Sequence, residues 1–219
     1  SHGLGKKPAF AIFKNRDSTL GTNEVDWGVY HQNLGATEKL ELNQSIASAT
    51  HDGPFNNTEP TSSLFYFGGR SGGSIQGHSY LTNGPADDGF VGYIWTEIPG
   101  FSKFGSYIGN NLADPNQPFI YTGFRPKWLL VRQTGAAYWN ILDAERDPYN
   151  PTQKELYPND PTKYDEAAGG VRADFLSDGF KIRVPINKAA YNSSGVEYLY
   201  AAFAEGPTFN LYGGQANAR

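Results

Sequence analysis

The stretch Gly123-Phe-Arg-Pro-Lys-Trp-Leu-Leu-Val-Arg132 decides how the rest of the chain is read. It is a turn followed by an apolar run with a cationic end. The same pattern stands near the N-terminus as Gly5-Lys-Lys-Pro-Ala-Phe-Ala-Ile-Phe-Lys14. Gly5 and Gly123, Lys7 and Arg125, Pro8 and Pro126, Phe10 and Trp128, Ile12 and Leu130, and Lys14 and Arg132 each lie 118 residues apart. Trp27-Gly-Val-Tyr30 answers Trp139-Asn-Ile-Leu142 at 112 residues, and Leu40-Glu-Leu-Asn43 answers Leu156-Tyr-Pro-Asn159 at 116. Val91-Gly-Tyr-Ile-Trp-Thr-Glu-Ile-Pro99 answers Leu199-Tyr-Ala-Ala-Phe-Ala-Glu-Gly-Pro207 at 108. A kept order with slowly drifting offsets is what loop insertions leave behind in an internal duplication of roughly one hundred residues.

The segments read as strands. Phe10 and Ile12 fall on one face, and Ala9, Ala11 and Phe13 on the other. Trp27 to His31 returns from a polar loop, as Tyr138 to Asp143 returns through Gly135, so each repeat opens with a hairpin. Short strands follow at Lys39 to Asn43 and Glu155 to Tyr157, and an aromatic strand is expected at Leu64 to Phe67. Asp174 to Val184 reads as a hairpin whose Ser177-Asp178-Gly179 turn takes positive φ. Gly89 to Ile98 and Glu197 to Glu205 look like central strands buried on both faces. No segment has a helical period. The expected fold is all-β: two tandem, similar, antiparallel β-sandwich-like units over 1–100 and 101–219.

Composition fits that fold. Aromatic residues make up 15%, with 26 glycines and 14 prolines, so frequent turns separate strands rich in large rings. A formal charge of −4 lacks the basic excess that displaces counterions from nucleic acid. No apolar run approaches the roughly 18 residues of a membrane helix. The absence of cysteine excludes disulfides and thiolate metal sites.

Phe101-Ser-Lys-Phe-Gly-Ser-Tyr-Ile-Gly-Asn110 reads as the strand that opens the second unit. Its counterpart before Gly5 is missing, and Phe209-Asn-Leu-Tyr-Gly213 echoes Phe101 to Gly105. Either this chain is a fragment of a longer polypeptide, or the C-terminal piece completes the first sheet as in a closed ring. An unpaired sheet edge invites association, so a neighbouring subunit or domain is expected to cover it.

Catalytic patterns are sparse. His2, His31, His51 and His78 have no metal-ligand spacing, and there is no Gly-x-Ser-x-Gly elbow. Matching positions hold His31 and Asp143, which reads as a surface polar position. Glu97 and Glu205 share a repeat position. Paired glycosidase carboxylates are one reading. The favoured reading is a partly buried structural carboxylate bonded to backbone N–H groups or to a cation such as Lys7 or Arg125. Asp52-Gly53, Asp87-Asp88-Gly89 and Asp147 with Asn150 offer oxygen ligands for Ca²⁺ but lack the ordered spacing of a known loop, so no metal or cofactor is expected. Trp27, Trp95, Trp128 and Trp139 are expected mostly in the core. Phe55, Tyr80, Tyr149, Tyr164 and Tyr191 are the loop rings open to stacking on sugars. Loops that differ between repeats, namely 15–26, 51–63, 68–89 and 143–170, are expected to be exposed and to carry binding. Their candidate ligand-binding residues are Asn56, Asn57, Arg70, His78, Asp147, Tyr149, Asn150 and Tyr164.

His2-Gly-Leu-Gly-Lys-Lys-Pro8, Lys14-Asn-Arg-Asp17 with Trp27-Gly-Val-Tyr-His31, Gly105-Ser-Tyr-Ile-Gly-Asn110, Thr122-Gly-Phe-Arg-Pro126, Asp174-Phe-Leu-Ser-Asp-Gly-Phe180 and Ala202-Phe-Ala-Glu205 resemble a repeated β-rich domain of tailed-bacteriophage virions. That domain occurs in tail-fibre and related proteins, often downstream of laminin-G-like lectin modules. The resemblance spans nearly the whole chain, and its motifs are turns, strand ends and core aromatics, with no catalytic residues attached. It implies a non-enzymatic structural and adhesion module, a tail-fibre or spike part located in the extracellular virion. Its expected partners are further copies of itself, a trimer being favoured, together with other virion proteins and a host-surface glycan, with neither nucleic acid nor membrane insertion. Two alternatives stay open. One is a capsid or tail decoration or connector protein that contacts only virion proteins. The other is a polysaccharide depolymerase using Glu97, Glu205 or the Asp147 loop.

Overall fold

Backbone donors and acceptors that no helix satisfies have to be met between strands. The computed structural model describes residues 1–16, 26–50, 54–68, 70–71, 74–75, 89–160, 164–165, 170–184, 189–206, 208–209 and 215–216. Every helix or strand element among them is a strand, and the strand pairs are antiparallel. The chain divides into two compact units, Ser1–Thr96 and Glu97–Arg219.

The first unit holds β1 (Phe10–Asn15), β2 (Trp27–His31), β3 (Glu38–Glu41), β4 (Ala49–Thr50), the small hairpin β5 (Arg70–Ser71) and β6 (Ser74–Ile75), and β7 (Phe90–Trp95). Its main sheet runs β4-β3-β2-β1-β7. The second unit holds β8 (Ser102–Ile108), β9 (Phe119–Tyr121), β10 (Trp128–Gln133), β11 (Asn140–Asp143), β12 (Glu155–Leu156), β13 (Tyr164–Asp165), β14 (Ala173–Leu176), β15 (Gly179–Ile182), β16 (Glu197–Phe203), and the terminal pair β17 (Thr208–Phe209) and β18 (Gln215–Ala216). Its large sheet runs β13-β12-β11-β10-β16-β8, and a second sheet runs β14-β15-β9.

The two large sheets share an order and a register. Phe10 faces His31 and Trp95, and Trp128 faces Asp143 and Phe203. Val29 faces Leu40, and Ile141 faces Leu156. These are the residues that the offsets of 118, 112, 116 and 108 equate in sequence. Hydrogen bonds beyond the ladders follow the same correspondence. The Trp27 N–H donates to Asn43 Oδ1 at 2.9 Å, and the Trp139 N–H donates to Asn159 Oδ1 at 2.9 Å. Lys14 sits 5.8 Å over the Trp27 ring, and Arg132 sits 5.0 Å over the Trp139 ring. The Asn33 N–H donates to His31 Nδ1 at 3.2 Å, and the Glu145 N–H donates to Asp143 Oδ1 at 2.8 Å. His31 and Asp143 therefore both close the turn that follows the hairpin. His31 is buried beside Phe10, not the surface position expected.

One strand breaks the likeness. β16 is buried along its interior because β8 covers its far side. β7 is half-buried to exposed, with Tyr93 49% exposed, and among the described residues no strand lies beyond it. The expectation that β7 is a central strand buried on both faces is thus corrected: it is an edge.

Each large sheet is covered by a different second layer. In unit 2 the three-stranded sheet supplies Ile120, Ala173, Phe175, Phe180 and Ile182, which pack on Tyr107, Leu129, Val131, Leu142, Tyr198 and Tyr200 of the large sheet. In unit 1 the cover is irregular chain over 54–68. Phe55 and Phe65 pack on Ala11, Phe13 and Tyr30, with Phe55–Tyr30 and Phe65–Tyr30 edge-to-face at 5.5 and 5.2 Å. Leu64 to Phe67 is accordingly not a strand. Phe55 and Tyr191, expected as exposed loop rings, are core residues at 1% exposure each. Among the tryptophans only Trp139 is fully buried, the other three being half-buried. The hairpin β14–β15 forms as expected, but its turn uses no positive φ. Gly179 has another reason to be glycine, since a Cβ there would stand 2.1 Å from the Ile120 carbonyl oxygen of β9.

Glu59 fastens the cover of unit 1. Its carboxylate pairs with Lys7 Nζ at 2.8 Å and accepts the Tyr30 hydroxyl at 2.9 Å and the Ala36 N–H at 2.6 Å. Burial alone would raise its pKa, but these three donors outweigh burial and hold it below its ordinary value of 4.5. The folded unit thus binds fewer protons than the unfolded chain just below that value. Its contribution to stability is complete above pH 4.5 and fades as pH falls through the depressed folded pKa. In a thermal melt series, unit 1 of the parent chain is expected to lose melting temperature across that interval. Glu59→Gln should start lower and show a flatter profile. An identical pH profile in the two proteins would contradict this role.

Candidate functional site

The β10–β11 hairpin ends in a turn over 134–137, and beside it the structure opens a cleft of about 310 Å³. Gln133, Ala136, Ala137, Tyr138, Asn140, Tyr157, Ala189 and Ala190 line it. The Tyr138 and Tyr157 rings meet edge-to-face at 5.8 Å. Their placement follows from the frame beneath. Asn159 holds the N–H of Trp139, the residue before β11, and Tyr138 precedes Trp139. The Tyr157 hydroxyl donates to the Glu155 carboxylate, which also pairs with Arg172. Both Glu155 and Arg172 are buried, so that carboxylate is committed to the framework.

Two amides border the rings. Gln133 Nε2 donates to the Ala136 carbonyl at 3.1 Å and shapes the turn. Asn140, 1% exposed, donates from Nδ2 to the Tyr138 carbonyl at 3.1 Å and to the Val131 carbonyl at 3.4 Å, while its Oδ1 is buried without a hydrogen-bond partner. A buried acceptor left unmatched is a polar handle for a donor that enters the cleft. The cleft combines apolar ring surface, small alanines and uncharged amides, the usual chemistry of a site for a small neutral ligand.

Among the expected loop residues whose side chains are described, Asn56, Asn57, Asp147, Tyr149 and Asn150 do not line this cleft. Asn56 and Asn57 take left-handed φ of 52° and 45° in the exposed turn that follows Phe55. Asp147 accepts the Gln153 and Lys154 N–H groups at 2.6 and 3.1 Å. Asn150 brackets Phe175 with two bonds of 2.9 Å, one to its carbonyl and one from its N–H. Asp147 and Asn150 thus hold their own loop against β14. Tyr149 is 79% exposed. Arg70 and Tyr164 stand in β5 and β13, while His78, with Asp52, Gly53, Tyr80, Asp87 and Asp88, lies outside the described residues. Of loop 51–63, expected to be exposed, the described residues 54–63 are packed into unit 1 through Phe55 and Glu59.

The paired glutamates are salt-bridged surface groups. Glu97 pairs with Lys103 at 3.1 Å and accepts the Phe104 N–H at 3.3 Å. Glu205 reaches Lys127 at 3.5 Å and its side chain is 67% exposed against 34% for Glu97, so the partial burial expected for both holds for Glu97 alone. The proposed partners differ as well: Lys7 is taken by Glu59, and Arg125 donates to the Phe175 carbonyl at 3.2 Å. Lys127 is shared between Glu145 and Glu205, and the Glu145 bond leads in raising its pKa. No group of three or more His, Asp or Glu residues gathers into a metal site among the described residues.

The cleft tyrosines were missed by the sequence reading, although a signal existed. At the positions equivalent to Tyr138 and Tyr157 the first unit carries Asp26 and Glu41. Rings therefore stand in one unit where the other has acids.

A family model described as a domain of unknown function, DUF7483, matches residues 1–207. No curated protein and no solved structure matches the chain.

Proposed function

The chain belongs to the DUF7483 family, which brings no assigned activity with it, and we propose that it is a non-enzymatic structural and adhesion module of a bacteriophage virion, built by internal duplication. In this reading it is an extracellular tail-fibre or spike part, and unit 2 binds a neutral sugar ring of a host-surface glycan. The resemblance of its turn and strand-end motifs to tail-fibre domains supports the virion setting. The observation that carries the glycan reading is the cleft with Tyr138, Tyr157 and the unmatched Asn140 Oδ1. An apolar sugar face packs on an aromatic ring while amides bond the hydroxyls. Glu155, the carboxylate that accepts the Tyr157 hydroxyl, is also paired with Arg172, so it is committed to the frame and not to acid–base chemistry.

Titration with a panel of neutral hexose oligosaccharides, followed by NMR, tests the proposal. Binding is expected to shift signals of residues 133–140 and 157. Tyr138→Ala is expected to weaken it by about tenfold, equivalent to roughly 1.4 kcal/mol, without changing the melting temperature appreciably. Binding that is indifferent to Tyr138→Ala, or silence across the panel, would overturn the glycan reading. Release of reducing ends from a polysaccharide would favour a depolymerase instead. A connector that touches only virion proteins is the second reading, and the open apolar edge of β7 favours it.

A further inference from the structure

Burial sorts the residues that line the unit 2 cleft. Among the described lining residues Asn140 is the buried one, while Ala136, Tyr138 and Ala189 stand at the exposed rim. The ladder explains this order. Asn140 of β11 is opposite Val131 of β10, and Gln133 and Tyr138 lie two residues further towards the hairpin turn. Residues directly opposite in a ladder share a face. Val131 belongs to the core between the two sheets of unit 2, so Asn140 brings an amide to an apolar interior.

That amide has a fixed orientation. Both N–H bonds of Asn140 Nδ2 are spent on backbone, on the Tyr138 carbonyl at 3.1 Å and the Val131 carbonyl at 3.4 Å. Turning the amide over would set Oδ1 against those two carbonyl oxygens. Oδ1 therefore stays the group left over, a buried acceptor without a hydrogen-bond partner.

Such an acceptor calls for a donor, and its surroundings decide which. A hydroxyl that donates to Oδ1 brings two lone pairs with it, and these need donors of their own. An amide N–H carries no lone pair and is satisfied by the one bond. The described residues that share the cleft include Ala136, Ala137, Ala189 and Ala190, whose methyl groups offer a hydroxyl no hydrogen bond and an acyl methyl close contact. The Tyr157 hydroxyl donates to Glu155 and adds no donor for the ligand. Gln133 Nε2 spends one N–H on the Ala136 carbonyl at 3.1 Å and keeps a second for an acyl oxygen.

We propose, resting on the glycan reading, that the cleft binds the N-acetyl group of a 2-acetamido sugar and that Asn140 sets this specificity. The acetamido N–H donates to Asn140 Oδ1, the acyl methyl packs among the alanines, and the sugar ring lies on Tyr138 at the rim. The parent hexose has a hydroxyl in place of the acetamido group. It keeps the ring contact and loses the match at Asn140. A cleft of about 310 Å³ is at the small end of ligand pockets, which suits one sugar residue with its acyl group.

NMR titration of the full chain tests this with three methyl glycosides: the 2-acetamido sugar, its parent hexose and the 2-O-acetyl hexose. The last keeps the acyl methyl and carbonyl and has an ester oxygen in place of the N–H. Each is used in the gluco and the galacto form, so that the configuration at C4 does not decide the result. In one of the two forms the acetamido sugar is expected to bind about tenfold tighter than both the hexose and the ester, the order of one well-made hydrogen bond. Its signals should shift over residues 133–140 and at 157. Asn140→Leu should bring the three affinities together while the hexose still binds through Tyr138. Circular dichroism checks that this variant is folded, and the comparison with the ester needs no variant. A hexose or an ester that binds as tightly as the acetamido sugar overturns the proposal and leaves the glycan reading standing. A preference that survives in folded Asn140→Leu does the same. Absence of binding by every sugar overturns both.

Discussion

Phe180→Ala should destabilise unit 2 by about 3–5 kcal/mol, the range for removing a fully buried aromatic side chain. Phe180 has no exposure and lies between the two sheets. From β15 it meets Tyr107 of β8 edge-to-face at 6.2 Å and Tyr200 of β16 at 5.3 Å. Both tyrosines depend on that environment. Burial raises the Tyr107 pKa well above its ordinary value, and its hydroxyl donates to the Tyr191 carbonyl at 3.0 Å. Burial also leads in pushing Tyr200 up to about 12, with the Glu97 charge adding to it. Truncation opens a cavity that these rings cannot fill without leaving their partners, so the cost is expected in the upper part of the range. Chemical denaturation followed by tyrosine signals of unit 2 measures it. Phe180→Leu, which keeps most of the volume, should cost less than about 1.5 kcal/mol. Equal costs for the two substitutions would show that Phe180 does not bridge the layers.

Trp139→Ala should cost a similar amount, about 3–5 kcal/mol. The same change at Trp27 should cost clearly less. The two indoles occupy equivalent positions and have equivalent partners, but Trp139 is fully buried and Trp27 only partly so. Arg132, itself without exposure, lies 5.0 Å over the Trp139 ring. Removing the ring withdraws cation–π attraction from a cation that water cannot reach. In unit 1, Lys14 faces Trp27 from 5.8 Å, and its ammonium is shifted down mainly by desolvation, with Asp26 opposing. Paired denaturation curves of the two variants decide the matter. A larger loss for Trp27→Ala would reverse the account of which anchor is buried.

The sheet frame was legible because its anchors recur. A tryptophan at the start of the second strand, an asparagine that takes its N–H and a cation over its ring appear at fixed offsets. The register of β1, β2, β3 and β7 against β10, β11, β12 and β16 follows those offsets. What failed depended on neighbours that sequence does not place. β7 and β16 are similar as strings, and their burial differs because β8 lies on one of them. Phe55 and Tyr191 stand in irregular chain, and that chain serves as a layer of the core. Gly179 resembles a turn glycine, yet what excludes a side chain is the carbonyl of a strand more than fifty residues earlier. The cleft is not legible in loop composition, which points instead to Asp147 and Asn150, whose hydrogen bonds close their own loop. The exchange of Asp26 and Glu41 in unit 1 for Tyr138 and Tyr157 in unit 2 is the sequence signal that marks the cleft.

Amide hydrogen exchange at the two equivalent edges tests most directly that the units share one plan and differ in what covers the last strand. The outward N–H groups are those of Gly92 and Ile94 on β7, and of Tyr200 and Ala202 on β16. Tyr200 and Ala202 are expected to be protected, because β8 is part of their own unit. Gly92 and Ile94 are expected to exchange fast, because among the described residues no strand lies beyond β7. Strong protection of Gly92 and Ile94, or fast exchange of Tyr200 and Ala202, would contradict it.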